Sequence, residues 1–439
     1  MRSIEAKFSF FKAGQGSFYG GRIYYPETNR IFTVVYDCGT STFIRGNSQS
    51  LNSEINNFKN SYFPTNNNEI ELLFISHLDF DHVSGLKRLL REFRVKNIIL
   101  PYIEKQYRKF FLASFSDTDA PNDDFSLDDY ILFLENPANF IIQTSEDKED
   151  IKIYFVKSDG IEKLDYQGYD DNNNDSQPDS AYPRGTPIEN AEEFGNTANI
   201  NFYKNNLQFF IKRDWEFTTY VKNVNQTAIN NLHRCLKKVL GKRDDENLSL
   251  DDLKEIVTTK RKKAHTCYTT CIGEINSHGL VLLHGPIRFK HLLSRIDSDC
   301  ELNPYGNNYH YNRGFYEHFR NENQLFLGTL LFGDTSIKPS NNPVNFPLAF
   351  KDKLVNVHVV QVPHHGSSKN WDNTAFRALD IGINIINHRF NHFIAVCNFG
   401  YGNTYGHPSH DVLNDLRSTI FLNSQFSRLN ISYHIIYMP

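Results

Sequence analysis

The sequence predicts a layered α/β fold enlarged by a long insertion, and three observations carry that expectation. Short apolar strand-like runs alternate with helical periodicity, chemistry-bearing residues gather just after those runs, and a polar stretch interrupts the rhythm. At 439 residues the chain is too long for one small core, which leaves two domains or one large domain carrying insertions. Aromatic residues make up 14% of the chain, led by 36 Phe and 23 Tyr, and a largely disordered chain would lack them.

Glu5–Lys12 and Phe18–Tyr25 read as paired aromatic-rich strands around a Gly14-Gln15-Gly16 turn. Arg30–Asp37 follows and ends at Asp37-Cys38-Gly39. Glu71–Ile75 is a short buried strand leading into Ser76-His77-Leu78-Asp79-Phe80-Asp81-His82. Leu86, Leu89, Leu90 and Phe93 then recur at i, i+3, i+4, i+7, one apolar face of a helix, before a strand at Val95–Leu100.

From about 103 to 263 the rhythm breaks. Ser116–Asp129 is acidic, and Tyr169–Ser180 is polar with nothing apolar to bury. Asp171, Asn173 and Asp175 resemble a calcium loop, but Ser176 stands where glycine is needed and no Glu closes it, so a solvated loop is the reading. Asp214–Lys263 reads as helical and ends in the basic run Lys260-Arg261-Lys262-Lys263, a surface charge cluster. Strands resume at Thr269–Ile275, Gly279–His284, Leu325–Phe332, Leu354–Val362 and Phe393–Asn398. After Tyr405-Gly406-His407-Pro408, Ser409 caps a helix that turns Val412, Leu413 and Leu416 inward.

With 47 Lys+Arg against 51 Asp+Glu, the net charge of −4 supplies no global basic field for non-specific DNA binding. The apolar runs are far short of a membrane span, and the first residues lack a leader-like stretch, so a soluble cytoplasmic protein is expected. The six cysteines (38, 235, 267, 271, 300 and 397) read as free, mostly buried thiols. Cys267 and Cys271 form a C-x3-C pair with no second pair to complete a zinc site.

Within six residues, His77, Asp79, Asp81 and His82 place two imidazoles and two carboxylates after a strand. Both groups are ligands for Zn²⁺, Mn²⁺ or Fe²⁺. Buried beside an apolar strand without a cation, such a cluster would be costly. In an extended stretch 77, 79 and 81 share a side while 82 turns away, so one loop can serve two adjacent ions. Three further strand ends supply matching chemistry: Asp334, the pair His364-His365, and His407. Each alone is weak, since an Asp after a strand is often a turn former and a lone His often a satisfied core residue.

These motifs, in this order, resemble the metallo-β-lactamase-fold hydrolases. The stretch His77-Leu78-Asp79-Phe80-Asp81-His82-Val83-Ser84-Gly85 is similar to that family's H-x-H-x-D-H-x-x-G hallmark, with Asp79 in place of the second His. The H-x-D-x-D-H variant resembles the hydrolase domain of ComEC-type competence proteins. Gly14-Gln15-Gly16, Asp37-Cys38-Gly39, Gly333-Asp334, Val362-Pro363-His364-His365-Gly366-Ser367 and Tyr405-Gly406-His407-Pro408 agree with it. The chain departs from the pattern at Ser17, where an acidic residue is common, and at Asn276-Ser277-His278, where many members of the fold carry a ligand histidine. It also lacks the membrane channel of competence proteins, so DNA uptake is not implied.

The resemblance implies an αββα sandwich formed by residues 1–102 and 264–439, with 103–263 as an insertion or lid. It implies two divalent ions, Zn²⁺ or Mn²⁺, with His77 and Asp79 on one, Asp81 and His82 on the other, Asp334 bridging and His365 as a further ligand. Asp81 would also orient the nucleophile, a hydroxide activated by the two ions, and His364 or His407 would protonate the leaving oxygen. The expected activity is a phosphodiesterase or nuclease acting on DNA or RNA. The alternatives are hydrolysis of a small phosphodiester or ester, or an effector subunit gated by a protein partner on 103–263.

Overall fold

The computed structural model describes residues 2–41, 51–63, 68–114, 124–158, 180–194, 197–205, 207–222, 226–243, 248–271, 279–287, 289, 291–298, 315–320, 327–338, 346, 348–383, 393–403, 405–416 and 420–437. The calcium-loop-like Asp171, Asn173 and Asp175, the Asn276-Ser277-His278 stretch and Cys300 lie outside these residues.

In chain order the strands are β1 (Ser3–Phe10), β2 (Phe18–Tyr25), β3 (Arg30–Cys38), β4 (Glu69–Phe74), β5 (Arg94–Pro101), β6 (Lys152–Val156), β7 (Tyr182–Arg184), β8 (Pro187–Ile188), β9 (Ile200–Tyr203) and β10 (Gln208–Ile211). They continue as β11 (Trp215–Val221), β12 (Leu280–Pro286), β13 (His291–Ser298), β14 (Phe315–Arg320), β15 (Gly328–Leu331), β16 (Val357–Gln361), β17 (Ile394–Phe399), β18 (Ile420–Ser424) and β19 (Leu429–Ile436). One sheet runs β14-β13-β19-β1-β2-β3-β4-β5-β6-β9-β8, the other β18-β17-β16-β15-β12-β11-β10-β7.

Alternation of side chains across each strand builds the layers. Tyr36, Leu72 and Phe74 of the first sheet meet Phe217, Leu282, Leu331 and Val359 of the second in an apolar layer between the sheets. Their neighbours Val35 and Leu73 face outward onto a helical layer containing Leu51–Tyr62, Leu86–Glu92 and Leu127–Glu135. Leu283, Leu330 and Val360 likewise face helices Leu348–Leu354 and His410–Leu416 on the far side. The result is the expected αββα sandwich. Trp215 and Phe8 lie at its centre beside His284, which accepts from Trp215 Nε1 at 3.2 Å and meets Tyr19 Oη at 2.9 Å. Burial holds this histidine neutral, with its pKa lowered to about 3, so it is a satisfied core residue.

Residues 103–263 are woven into both sheets. They supply β6, β9 and β8 to one and β7, β10 and β11 to the other, and among the described residues their helices lie outside the two sheets. The fully buried Arg108 ties this region together, donating to the carbonyls of Ile103, Leu134 and Glu135 and to Glu193. Two expectations are corrected here. Asp214–Lys263 is not helical throughout: Trp215–Val221 is β11, buried along its whole length, so it lacks the polar alternation that marks a half-exposed strand. Thr269 and Thr270 belong to the helix Arg261–Cys271, where Thr266 and Thr270 hydroxyls donate to carbonyls four residues back.

The expected free thiols are also corrected. Cys235 of helix Gln226–Leu240 and Cys267 of helix Arg261–Cys271 form a disulfide, while Cys38 and Cys397 are free thiols. Among the described residues no helix is long and apolar enough to cross a membrane.

Candidate metal centre

Beyond β4 the chain runs outside regular structure over residues 75–79, with Asp79 extended, and then turns into the short helix Phe80–Val83. β3, β4, β15, β16 and β17 all send their C-terminal ends to this side of parallel ladders, the usual place for a site in such sheets. Close packing dictates the flanking glycines. A Cβ at Gly39 would lie 2.5 Å from the Asp81 backbone carbonyl. Gly333, with φ +54°, would meet Ser76 at 2.8 Å, and it delivers Asp334 to the loop. His364 and His365 are consecutive left-handed residues, at φ 46° and 52°. Each costs about 1–3 kcal/mol of backbone strain, which persists only where the surroundings over-determine it.

The predicted residues converge. His82 Nε2 lies 3.2 Å from Asp334 Oδ1 and 3.8 Å from Asp81 Oδ2. His365 Nε2 lies 3.2 Å from Asp81 Oδ2 and 3.5 Å from Asp334 Oδ1. His77 Nε2 is 3.7 Å from Asp79 Oδ2 and 3.6 Å from Asp334 Oδ2. Two groups could each hold a cation: Asp81, His82, Asp334 and His365, and His77, Asp79 and Asp81. Asp81 is common to both, and Asp334 turns one oxygen towards each side. His364 is in neither group; its Nε2 stands 3.6 Å from Asp334 Oδ2 and its ring 5.5 Å from that of the half-buried His407.

Hydrogen bonds fix the histidine tautomers in the form that ligates through Nε2. Ser76 Oγ donates to Asp37 Oδ2 at 2.7 Å, so it can only accept from His77 Nδ1, at 2.9 Å. His82 Nδ1 donates to Asp37 at 2.8 Å, and His365 Nδ1 to the Asn398 carbonyl at 3.2 Å. These assignments follow from the partners, since a carboxylate or carbonyl can only accept. Among the described residues, Nε2 of His77 and His82 and Oδ1 of Asp334 are buried without a hydrogen-bond partner. Imidazole nitrogens and a carboxylate oxygen buried and facing one another fit a divalent cation.

Without a cation the site sorts its protons unevenly. Burial, then Asp81 and Asp334, pushes Asp79 well above the carboxylate range. Burial also lowers His77 to about 3, with His82 adding to the effect. Burial would lower His82 too, but Asp334, Asp81 and Asp37 outweigh it and hold this imidazole charged. Burial opposes ionisation of Asp334, yet His364, His365, His82 and His77 hold it well below its usual value. His407 is lowered to about 3 by burial and by the neighbouring His364.

Four residues here were not among the candidates. Asp37 accepts from the Ser76 backbone at 2.6 Å as well as from Ser76 Oγ and His82, so it orients both histidines of the loop. Its place at the end of β3, beside β4, was the available signal; Ser76 had none beyond adjoining His77. Tyr130 donates to the Leu78 carbonyl at 2.9 Å, and Tyr268 donates to Asp79 at 3.0 Å. Asp37→Asn should weaken metal binding about 10- to 100-fold, the usual cost of losing such a partner, as read by calorimetric titration of the metal-stripped protein. Wild-type affinity in that variant would show that Asp37 does not set the ligand.

Residues 31–152, a little over a quarter of the chain, match the family model described as the metallo-beta-lactamase superfamily. The match runs from β3 through β4 and β5 to the first residue of β6 and includes the loop 77–82, while Asp334, His364 and His365 lie beyond it. None of the curated proteins compared with the chain matches it. The matched strands, the two-sheet sandwich and the His/Asp cluster agree, and the chain carries a metallo-beta-lactamase superfamily domain, which implies a metal-dependent hydrolase.

Proposed function

We propose that the protein is a metal-dependent phosphodiesterase that cleaves DNA or RNA. The observation that carries the reading is the pair of ligand groups sharing Asp81, with Asp334 reaching towards both. His77 and Asp79 would hold one ion, and His82 and His365 the other. Two divalent ions, Zn²⁺ or Mn²⁺, would supply Lewis acidity and a nucleophilic water at neutral pH. A carboxylate at position 79 in place of an imidazole makes the donor set harder, which favours Mn²⁺ or mixed occupancy. The H-x-D-x-D-H variant and its similarity to the ComEC-type hydrolase domain support nucleic acid as the substrate.

The remaining steps fall to side chains. Asp81, the most exposed of the three central carboxylates, would orient the attacking water. His364 and His407 stand just outside the ligand groups and would pass a proton to the leaving oxygen. Burial and neighbouring histidines lower the pKa of both, so each must first take up a proton before it can pass one on.

The test loads metal-stripped protein with Mn²⁺ or Zn²⁺ and offers single- and double-stranded DNA, RNA and small chromogenic phosphodiesters. Cleavage of a nucleic acid is expected. Turnover of the small diesters alone would move the function to the alternative reading, and inertness towards all of them would sink both.

A second reading has its own observation. The loop is braced from outside by helices of the 103–271 region, through Tyr130 and through Phe80 packed on Phe125 and Tyr130. The proposed lid therefore narrows to the helical layer, because the strands of 103–263 are hydrogen-bonded onto one edge of each sheet. In an effector complex a protein partner would act by shifting those helices. A cytoplasmic location remains part of the proposal, and the Cys235–Cys267 bridge weighs against it.

A further inference from the structure

The ligand loop is oriented by two kinds of partner, and the chemistry of each ligand decides which kind it needs. A ligating histidine carries a spare N–H and must find an acceptor; His77, His82 and His365 find Ser76, Asp37 and the Asn398 carbonyl. An ionised carboxylate has only acceptor atoms, so whatever orients it must be a donor. Asp79 stands where the resembled hallmark has a second histidine, and an acceptor partner there would be of no use to it. A donor is in place: the Tyr268 hydroxyl lies 3.0 Å from Asp79 Oδ2 and 3.2 Å from Oδ1, fully within the protein.

We propose that Tyr268 is the positioning residue for Asp79, and that the tyrosine and aspartate together do the work of the missing histidine. The inference rests on the metal-centre reading above. Tyr268 comes from the helix Arg261–Cys271, far outside the matched segment 31–152. Its neighbour Cys267 is bonded to Cys235, and Leu232, Leu236, Ala264 and Cys267 pack into the same apolar layer. Successive helix residues are set about 100° apart, so a small rotation of this helix would swing the hydroxyl off the carboxylate. The disulfide and the packing fix that rotation. Freed of the hydroxyl, Asp79 gains alternative rotamers, and the ion it would share with His77 loses a preset ligand.

The experiment titrates metal-stripped wild type, Tyr268→Phe and the double variant Cys235→Ser/Cys267→Ser with Mn²⁺ by calorimetry, with thermal unfolding as the fold control. The visible spectrum of each protein loaded with Co²⁺ is the second readout. Tyr268→Phe should weaken one of the two binding events about 10- to 100-fold, leave the other unchanged and alter the Co²⁺ spectrum. The disulfide-free variant should weaken the same event by a smaller factor. On an Asp79→Asn background, Tyr268→Phe should add almost nothing. Two binding events of wild-type affinity and an unaltered spectrum in Tyr268→Phe would overturn the proposal, as would equal weakening of both events. A wild type that binds no ion would instead fell the metal-centre reading, and this inference with it.

Discussion

Replacing Asp81 and His82 together with alanine should abolish hydrolysis, leaving no more activity than the metal-stripped wild type. Asp81 belongs to both ligand groups, and His82 contributes an orphaned Nε2 to one of them, so the pair of changes damages both sides of the centre. Loss of an outer partner costs about 10- to 100-fold in metal affinity, and loss of a ligand should exceed about 100-fold. Removing His82 also leaves Asp37 as a buried carboxylate without its imidazole partner, a change that costs about 3–5 kcal/mol in a buried pair. Asp81→Asn avoids that complication, since it keeps shape and leaves His82 on Asp37. Metal content and turnover measured on both variants separate loss of the centre from loss of the fold. Retained activity in a metal-free Asp81→Ala/His82→Ala protein would refute the assignment of the site.

Metal affinity should rise steeply with pH. In the metal-free chain Asp79 is held protonated and His82 charged, for the reasons given above. Both must lose a proton to act as ligands, so binding releases protons and acid competes with the cation. The sign is fixed: both pKa values are raised, and affinity therefore falls as pH drops. While both groups are protonated in the metal-free form, each displaced proton changes the affinity about tenfold per pH unit, up to about 100-fold for the two. Calorimetry in buffers of different ionisation enthalpy counts the protons directly. At a free metal concentration of about 1,000 times Kd, the ion should stabilise the fold by about 4 kcal/mol, visible as a higher unfolding midpoint. Binding without proton release would show that the loop is already preset as ligands.

How much of this could be read from the sequence follows from the range of each signal. The parallel strands after β3 are short, apolar and followed by their chemistry, so Glu71–Ile75 and its loop, Asp334 and His364-His365 were legible as strand-end sites. The edges of the sandwich were less so. β11 is buried on both faces and carries no period-2 pattern, and the helix Arg261–Cys271 is rich in β-branched threonine. Tyr268 was invisible for a different reason: its meaning lies in a hydroxyl 189 positions from its partner in sequence, and no local pattern encodes that. The Cys235–Cys267 bridge, 32 residues apart between two helices, is likewise a product of helix packing. Asp37 was visible as a strand end, but its service to His82 needed β3 and β4 to be laid side by side.

The pairing of β19 between β1 and β13 joins the two ends of the chain in one sheet, and the centre has the same long reach. His365 lies 284 residues after Asp81. A ribosome adding roughly 5–20 residues per second needs between a quarter of a minute and a minute to cover that distance. For that interval a nascent chain carries an acidic, histidine-bearing loop without His365, a member of one of the two groups that could hold a cation. Contacts of such high sequence separation also make for slow folding. On the proposed reading, a ribosome-stalled fragment ending before His364 should therefore be inert however well its first strands have formed.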